Sequence, residues 1–151
     1  MNGDARRAEI VAAARTWIGT PYRHQASLRG VGCDCLGLVR GLWRECVGPE
    51  PERAPGYSPD WAEASGAETL RDAALRHLRP VALETFGAGD VLLFRWRDGL
   101  PAKHAAIATS RDTIVHAHDG AAVAEVALKP WSKKLAFAFA FPPRLGAPTR
   151  T

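Results

Sequence analysis

Apolar residues recur at Ala8, Val11, Ala12, Ala14 and Ile18, between Asp4, a residue suited to cap a helix, and Gly19. That spacing predicts a first helix over 4–18. Gly19-Thr20-Pro21-Tyr22 is turn chemistry, and Gly30 and Gly32 frame a basic loop. Helical periodicity resumes over 35–46, with Asp34 where an N-cap would stand and Gly48-Pro49 as the stop. Pro49, Pro51, Pro55 and Pro59 mark an ordered surface loop, after which 64–78 reads as a further helix ended by Pro80. Beyond Pro80 the period changes. Segments 89–96, 103–109, 113–118, 121–127 and 135–141 read as short strands separated by Asp/Gly turns. Helices first and an antiparallel meander afterwards describe an α+β domain, in which the N-terminal helices pack on a small antiparallel sheet. The domain is expected over 1–141, and the Pro/Gly-bearing segment 142–151 is read as a tail that orders against a partner.

A chain of 151 residues buries one full core and has no room for two substantial domains and a linker. With 46% hydrophobic and 24% charged residues it is neither a disordered tail nor a disulfide-stapled miniprotein. The net charge of +4 is spread along the chain, so it does not demand a nucleic-acid partner. The apolar runs at 91–94, 105–108 and 135–141 fall far short of the roughly 20 residues that a bilayer-spanning helix needs. The first residues lack the apolar stretch of a secretion signal, and the expectation is a protein made in the cytoplasm without one. Cys33, Cys35 and Cys46 are odd in number, with the first two too close for an ordinary bridge, and they are read as reduced thiols.

Cys35 follows Gly32-Cys33-Asp34 and opens an apolar helix, where free backbone N–H groups and the helix dipole favour a thiolate. The bland alternative is a small core filler, which is also the reading for Cys46. His104 lies in one strand and His116 in the next, with 109–112 as the hairpin between them, so both imidazoles can reach one face of the sheet. Nucleophile, base and orienting residue are the components of cysteine acyl transfer. His118 shares the face of His116 by the period of two, and spacing does not choose between them. Zinc competes, since Cys33, Cys35 and the histidines supply enough ligands, although a single residue between the cysteines is unusual and there is no second pair.

Taken in order, Gly19-Thr20-Pro21-Tyr22-Arg23, Gly32-Cys33-Asp34-Cys35-Leu36-Gly37-Leu38-Val39, Gly89-Asp90-Val91-Leu92-Leu93-Phe94, Lys103-His104-Ala105-Ala106-Ile107-Ala108 and Ile114-Val115-His116-Ala117 resemble the motifs of NlpC/P60 cysteine peptidases. The resemblance spans about 4–141 and is nearest to the phage and gene-transfer-agent tail branch, in which a stretch like Tyr57-Ser58-Pro59-Asp60-Trp61 recurs. It implies a papain-like α+β fold and a cofactor-free hydrolase of bacterial cell-wall peptides, commonly at the bond between D-γ-glutamyl and diaminopimelate residues. It places the nucleophile on Cys35, the base on His104 and the third polar residue on His116. Tyr22 resembles the family's tyrosine, whose hydroxyl joins the Cys35 N–H in binding the oxyanion. Asp34 and Asp90 also match motif positions, and their chemistry reads as structural, a cap or loop anchor and a turn acceptor. Leu36 departs from the serine that many members carry after the nucleophile, and 24–31 lengthens a loop beside the cleft.

Delivery on a phage-like tail or baseplate is the expected localisation, with action on the wall in the periplasm. A catalytically silent tail subunit is the rival function, and zinc binding the third. The tryptophans Trp17, Trp43, Trp61, Trp96 and Trp131 are scattered singly and read as core or loop anchors. Arg23, Arg29 and Arg40 read as solvated surface groups, with stem-peptide carboxylates as the alternative partners.

Overall fold

In the computed structural model, residues 3–51, 68–118 and 120–146 are described. Residues 52–67, with Pro55, Pro59, Tyr57 to Trp61 and the first part of the expected helix over 64–78, lie outside them. The described elements are α1 (Gly3–Arg15), β1 (Ser27–Leu28), β2 (Gly32–Cys33), α2 (Cys35–Cys46), α3 (Thr69–His77), β3 (Arg79–Val81), β4 (Val91–Phe94), β5 (His104–Ala108), β6 (Thr113–His116), β7 (Ala124–Ala127), a 3₁₀ helix (Lys129–Lys134) and β8 (Leu135–Ala140).

The fold class is the expected α+β arrangement. The main sheet runs β3-β8-β4-β5-β6-β7, with each pair of neighbours antiparallel. The meander expectation holds for β4 to β7 and fails at β8, which returns to lie between β3 and β4. Pro80 belongs to an edge strand, where its missing N–H costs no ladder bond. The β1–β2 hairpin, β3 and the 3₁₀ helix were not legible as elements; two- and three-residue strands carry no periodicity to read. The first helix stops at Arg15, three residues short of expectation. Its last turn tightens, with Trp17 N–H donating to Ala14 O and Ile18 N–H to Arg15 O before Gly19 turns the chain at φ +91°.

The sheet separates two cores. On one face Ile10 and Ala14 of α1, with Leu38 and Leu42 of α2, pack against Val91, Leu93, Ala105, Ile107 and Val115. On the other, Leu92, Phe94, Ala106, Ile114 and Ala138 gather with Phe86 and Leu128, as strand alternation requires. Leu38 and Leu42 are fully buried, each contributing about 2 kcal/mol. Between them on the helix surface, Gly37 and Gly41 leave room for close approach. A Cβ at Gly41 would sit 2.1 Å from the Trp17 ring, and one at Gly37 only 1.8 Å from Ala26 O. Small residues at this spacing let Trp17 and the 26–27 backbone press onto the start of α2, which fixes where Cys35 stands.

Residues 142–146, part of the segment read as a tail, are held by the chain itself. Arg6 donates to Pro142 O, Leu145 N–H to Val47 O at 2.7 Å, and Arg144 to Glu45 O at 3.0 Å, so 142–146 is fastened to the chain's own helices. Among the described residues no helix is long and apolar enough to cross a membrane.

Candidate active site

Asp34 builds the entrance to α2. It is 3% exposed, and its carboxylate accepts from Gly37 N–H at 2.7 Å and from Gln25 N–H at 2.7 Å. One oxygen therefore caps the helix while the other holds the loop at Gln25, whose φ of +67° is the left-handed conformation. Cap and loop anchor are one residue. Asp90 likewise accepts from Gly87 N–H at 2.9 Å and pairs with Arg7 at 3.1 Å, fixing the turn that leads into β4. Pro21 and Arg23 exchange backbone bonds with Cys33, and Tyr22 bridges to it, so Tyr22 runs alongside the strand that ends two residues before Cys35.

Cys35 is half-buried at the first turn of α2, and its thiol donates to the carbonyl of Lys103 at 3.9 Å. The N–H of Ala105 in β5 favours the thiolate, as do those of Leu36 and Cys35 itself, the two that the helix-terminus reading expects. They are outweighed. Burial, followed by the negative charge of Asp34, pushes the thiol up to about 11. The resting thiol is thus neutral, a correction to the expected preformed thiolate. The sulfur lies against the backbone on both sides of His104, and that brings α2 and the start of β5 to one point. Upstream, Glu68 accepts from Ala102 N–H at 2.9 Å and pairs with Arg95 at 3.0 Å, anchoring the loop that delivers His104.

His104 Nε2 and His116 Nδ1 are 2.9 Å apart, with both residues buried. The β5–β6 register pairs Ile107 with Val115 and Ala108 with Ile114. Continued, it would set His118 opposite His104, so spacing could not choose; the imidazole that reaches His104 is His116. His118 stands with its ring edge-on to His104 at 5.8 Å. Burial, then His116 and His118, push His104 well below its ordinary 6.5, and burial with His118 lowers His116 to about 4. Cys35, His104 and His116 are therefore all neutral at rest.

Two tryptophans join them. The rings of Trp96 and Trp131 lie 5.4 and 5.5 Å from that of His104, at interplanar angles of 22° and 27°. Sequence reading treated both as scattered anchors. Trp96 had a usable signal, being two residues past Phe94, the direct cross-strand partner of His104. Trp131 sits in the 3₁₀ helix, where no periodicity points to it.

The zinc set is not assembled. Cys33 is fully buried in the core, the two nearest imidazole nitrogens face each other, and among the described residues no group of His, Cys, Asp and Glu is arranged for a metal ion. Arg40 pairs with Glu50 at 2.6 Å in a half-buried contact, and Arg29 donates to Thr16 at 3.2 Å at the surface. Cys46 is a buried filler as expected.

Residues 19–139 match the model of the NlpC/P60 family. No curated protein sequence matches the chain. Among solved structures, it is similar to the NlpC/p60 domain of the peptidoglycan hydrolase SagA, with 24% identity and a TM-score of 0.62 over 89% of this chain and 98% of that one. It is also similar to an NlpC/P60 family protein from Bacillus cereus, with 18% identity and a TM-score of 0.65 over 91% of this chain and 40% of the other. A lipoprotein-like family member from Staphylococcus aureus matches at 19% identity and a TM-score of 0.61, over 93% and 42%. The chain thus spans less than half the length of the latter two.

Proposed function

Because the chain belongs to the NlpC/P60 family, we propose that it is a cysteine peptidase that hydrolyses peptidoglycan stem peptides. The observation that carries this reading is the approach of Cys35, at a helix N-terminus, to the backbone on both sides of His104 at the start of β5, where His104 is hydrogen-bonded to His116 of β6. SagA, whose domain this chain resembles, is a peptidoglycan hydrolase, and that supports the substrate class.

The proposed chemistry starts from a neutral thiol. As the scissile carbonyl enters, Cys35 turns its proton from Lys103 O to the free Nδ1 of His104, and the sulfur adds to the carbonyl carbon. The Cys35 N–H and the Tyr22 hydroxyl receive the oxyanion. His104 returns the proton to the leaving amine, the C–N bond breaks, and a thioester remains. His104 then takes a proton from water as the oxygen attacks the thioester, and the acid product leaves with Cys35 as a thiol again. His116 holds the ring of His104 so that Nδ1 faces the sulfur.

The D-γ-glutamyl to diaminopimelate bond is the proposed target, and delivery to the wall by a phage-like tail or baseplate the proposed setting. The bond is supported by the resemblance to the family as a whole, and the setting by that of 32–39 and 57–61. Mass spectrometry of purified muropeptides incubated with the protein tests the reading: a new amino-terminal diaminopimelate supports it, and intact muropeptides throughout favour the catalytically silent tail subunit.

A further inference from the structure

The proposed reaction requires His104 to carry a positive charge twice, in a place hostile to charge. The ring is 4% exposed, and among the described residues the ionisable groups acting on it are His116 and His118, both cationic when protonated. The third member of the group is an imidazole and not a carboxylate, so it orients the base without supplying a counter-charge. Asp34 acts on the Cys35 thiol, and Lys134 Nζ lies 5.9 Å from the Trp96 ring.

What does flank the imidazole is indole. His104, Trp96 and Trp131 form a near-equilateral triangle of ring centroids with sides of 5.4, 5.5 and 5.6 Å, and each indole plane lies within 30° of the imidazole plane. Both indoles therefore stand to one side of the imidazole, each in an offset stack, and do not sandwich it. A ring carrying a cation within about 6 Å of a Trp centroid gains electrostatic attraction from the π cloud, whereas a neutral ring gains only dispersion. We propose that Trp96 and Trp131 are positioning residues that stabilise the imidazolium form of His104 and hold its ring in the plane that aims Nδ1 at Cys35. This rests on the reading of His104 as the base of the proposed peptidase. Trp131 carries the larger share, because Lys134 already occupies the surroundings of Trp96. The indoles supply the favourable electrostatics that His116, a neutral partner at Nε2, does not, and their help appears only when the proton moves from the Cys35 thiol to Nδ1.

Fluorinated tryptophans separate this from simple packing, since fluorine drains the π cloud while nearly preserving shape and burial. Tryptophan, its 5-fluoro form and its tetrafluoro form are placed at position 131, then at 96, in the full chain. The rate of Cys35 alkylation by iodoacetamide at neutral pH is read by peptide mass spectrometry. Muropeptide hydrolysis and thermal unfolding are followed on the same samples. The expected result is a stepwise fall in alkylation, about threefold to tenfold across the series at position 131 and smaller at 96, with unchanged unfolding. Alkylation that falls without any hydrolysis upholds the indole role and removes the peptidase reading. Alkylation indifferent to fluorine overturns the indole role, whether or not the muropeptides are cut.

Discussion

His104 Nε2 lies 2.9 Å from His116 Nδ1. For His104 to accept a proton from the thiol, its Nδ1 must be bare, so Nε2 carries hydrogen and His116 accepts through Nδ1. An asparagine at 116 can place its amide oxygen close to that acceptor position; leucine cannot. His116→Leu is expected to lower kcat/KM by about 100-fold, and His116→Asn to recover a substantial part of it, measured as muropeptide turnover. Equal losses in the two variants would remove the orienting role.

Acid should destabilise the protein through the same pair. His116 falls from 6.5 to about 4 in the folded state, so between those values the unfolded chain binds the proton more readily. Stability is therefore full above about pH 6.5, declines as pH falls toward 4, and levels off below, with a loss of about 3 kcal/mol from this residue. His104 is shifted in the same direction. Urea unfolding at pH 7, 5.5 and 4 should show the decline, and His116→Asn should flatten it. A slope unchanged by that substitution would place the acid sensitivity elsewhere.

Asp34 sets the acidity of its neighbour as well as the cap. Its charge is the second cause, after burial, of the raised Cys35 thiol. Asp34→Asn should move the midpoint of Cys35 alkylation to lower pH. It should also cost about 1 to 2 kcal/mol of stability, because an amide oxygen satisfies only one of the two backbone donors now held. A midpoint that stays in place would show that the charge of Asp34 does not reach the sulfur.

The close approach at Gly37 is expected to be intolerant. Gly37→Ala puts a methyl group 1.8 Å from Ala26 O and should cost about 3 kcal/mol in urea unfolding. Gly87→Ala, whose Cβ would meet only Arg7 Nη1 at 3.6 Å, should change stability by less than about 1 kcal/mol. Similar losses at both positions would argue against the tight seat of α2.

These contacts explain what the sequence could and could not reveal. The second helix was legible to the residue because Asp34, the apolar spacing and Gly48 agree on its limits. His104 and His116 were legible as a cross-strand pair because the hairpin between them is short and polar. His118 could not be excluded from sequence, since the choice depends on where regular β5–β6 pairing stops. The return of β8 to lie beside β4 is a long-range pairing with no local signature. The acidity of Cys35 was misjudged for a related reason. Helix-terminal N–H groups are written in the local sequence, whereas the burial that outweighs them arises only when the chain folds and brings distant backbone such as Lys103 against the sulfur.

A peptidase working through Cys35 passes through a covalent intermediate on that residue. The protein is mixed with a γ-D-glutamyl-diaminopimelate stem peptide, quenched in acid within the first turnovers, digested, and Cys35 is examined by mass spectrometry. The predicted result is a thioester carrying the D-γ-glutamyl fragment on the peptide containing Cys35, absent from Cys35→Ala, which keeps the parent unfolding transition. Release of diaminopimelate by Cys35→Ala at the parent rate, or an acyl group found on another residue, would contradict it.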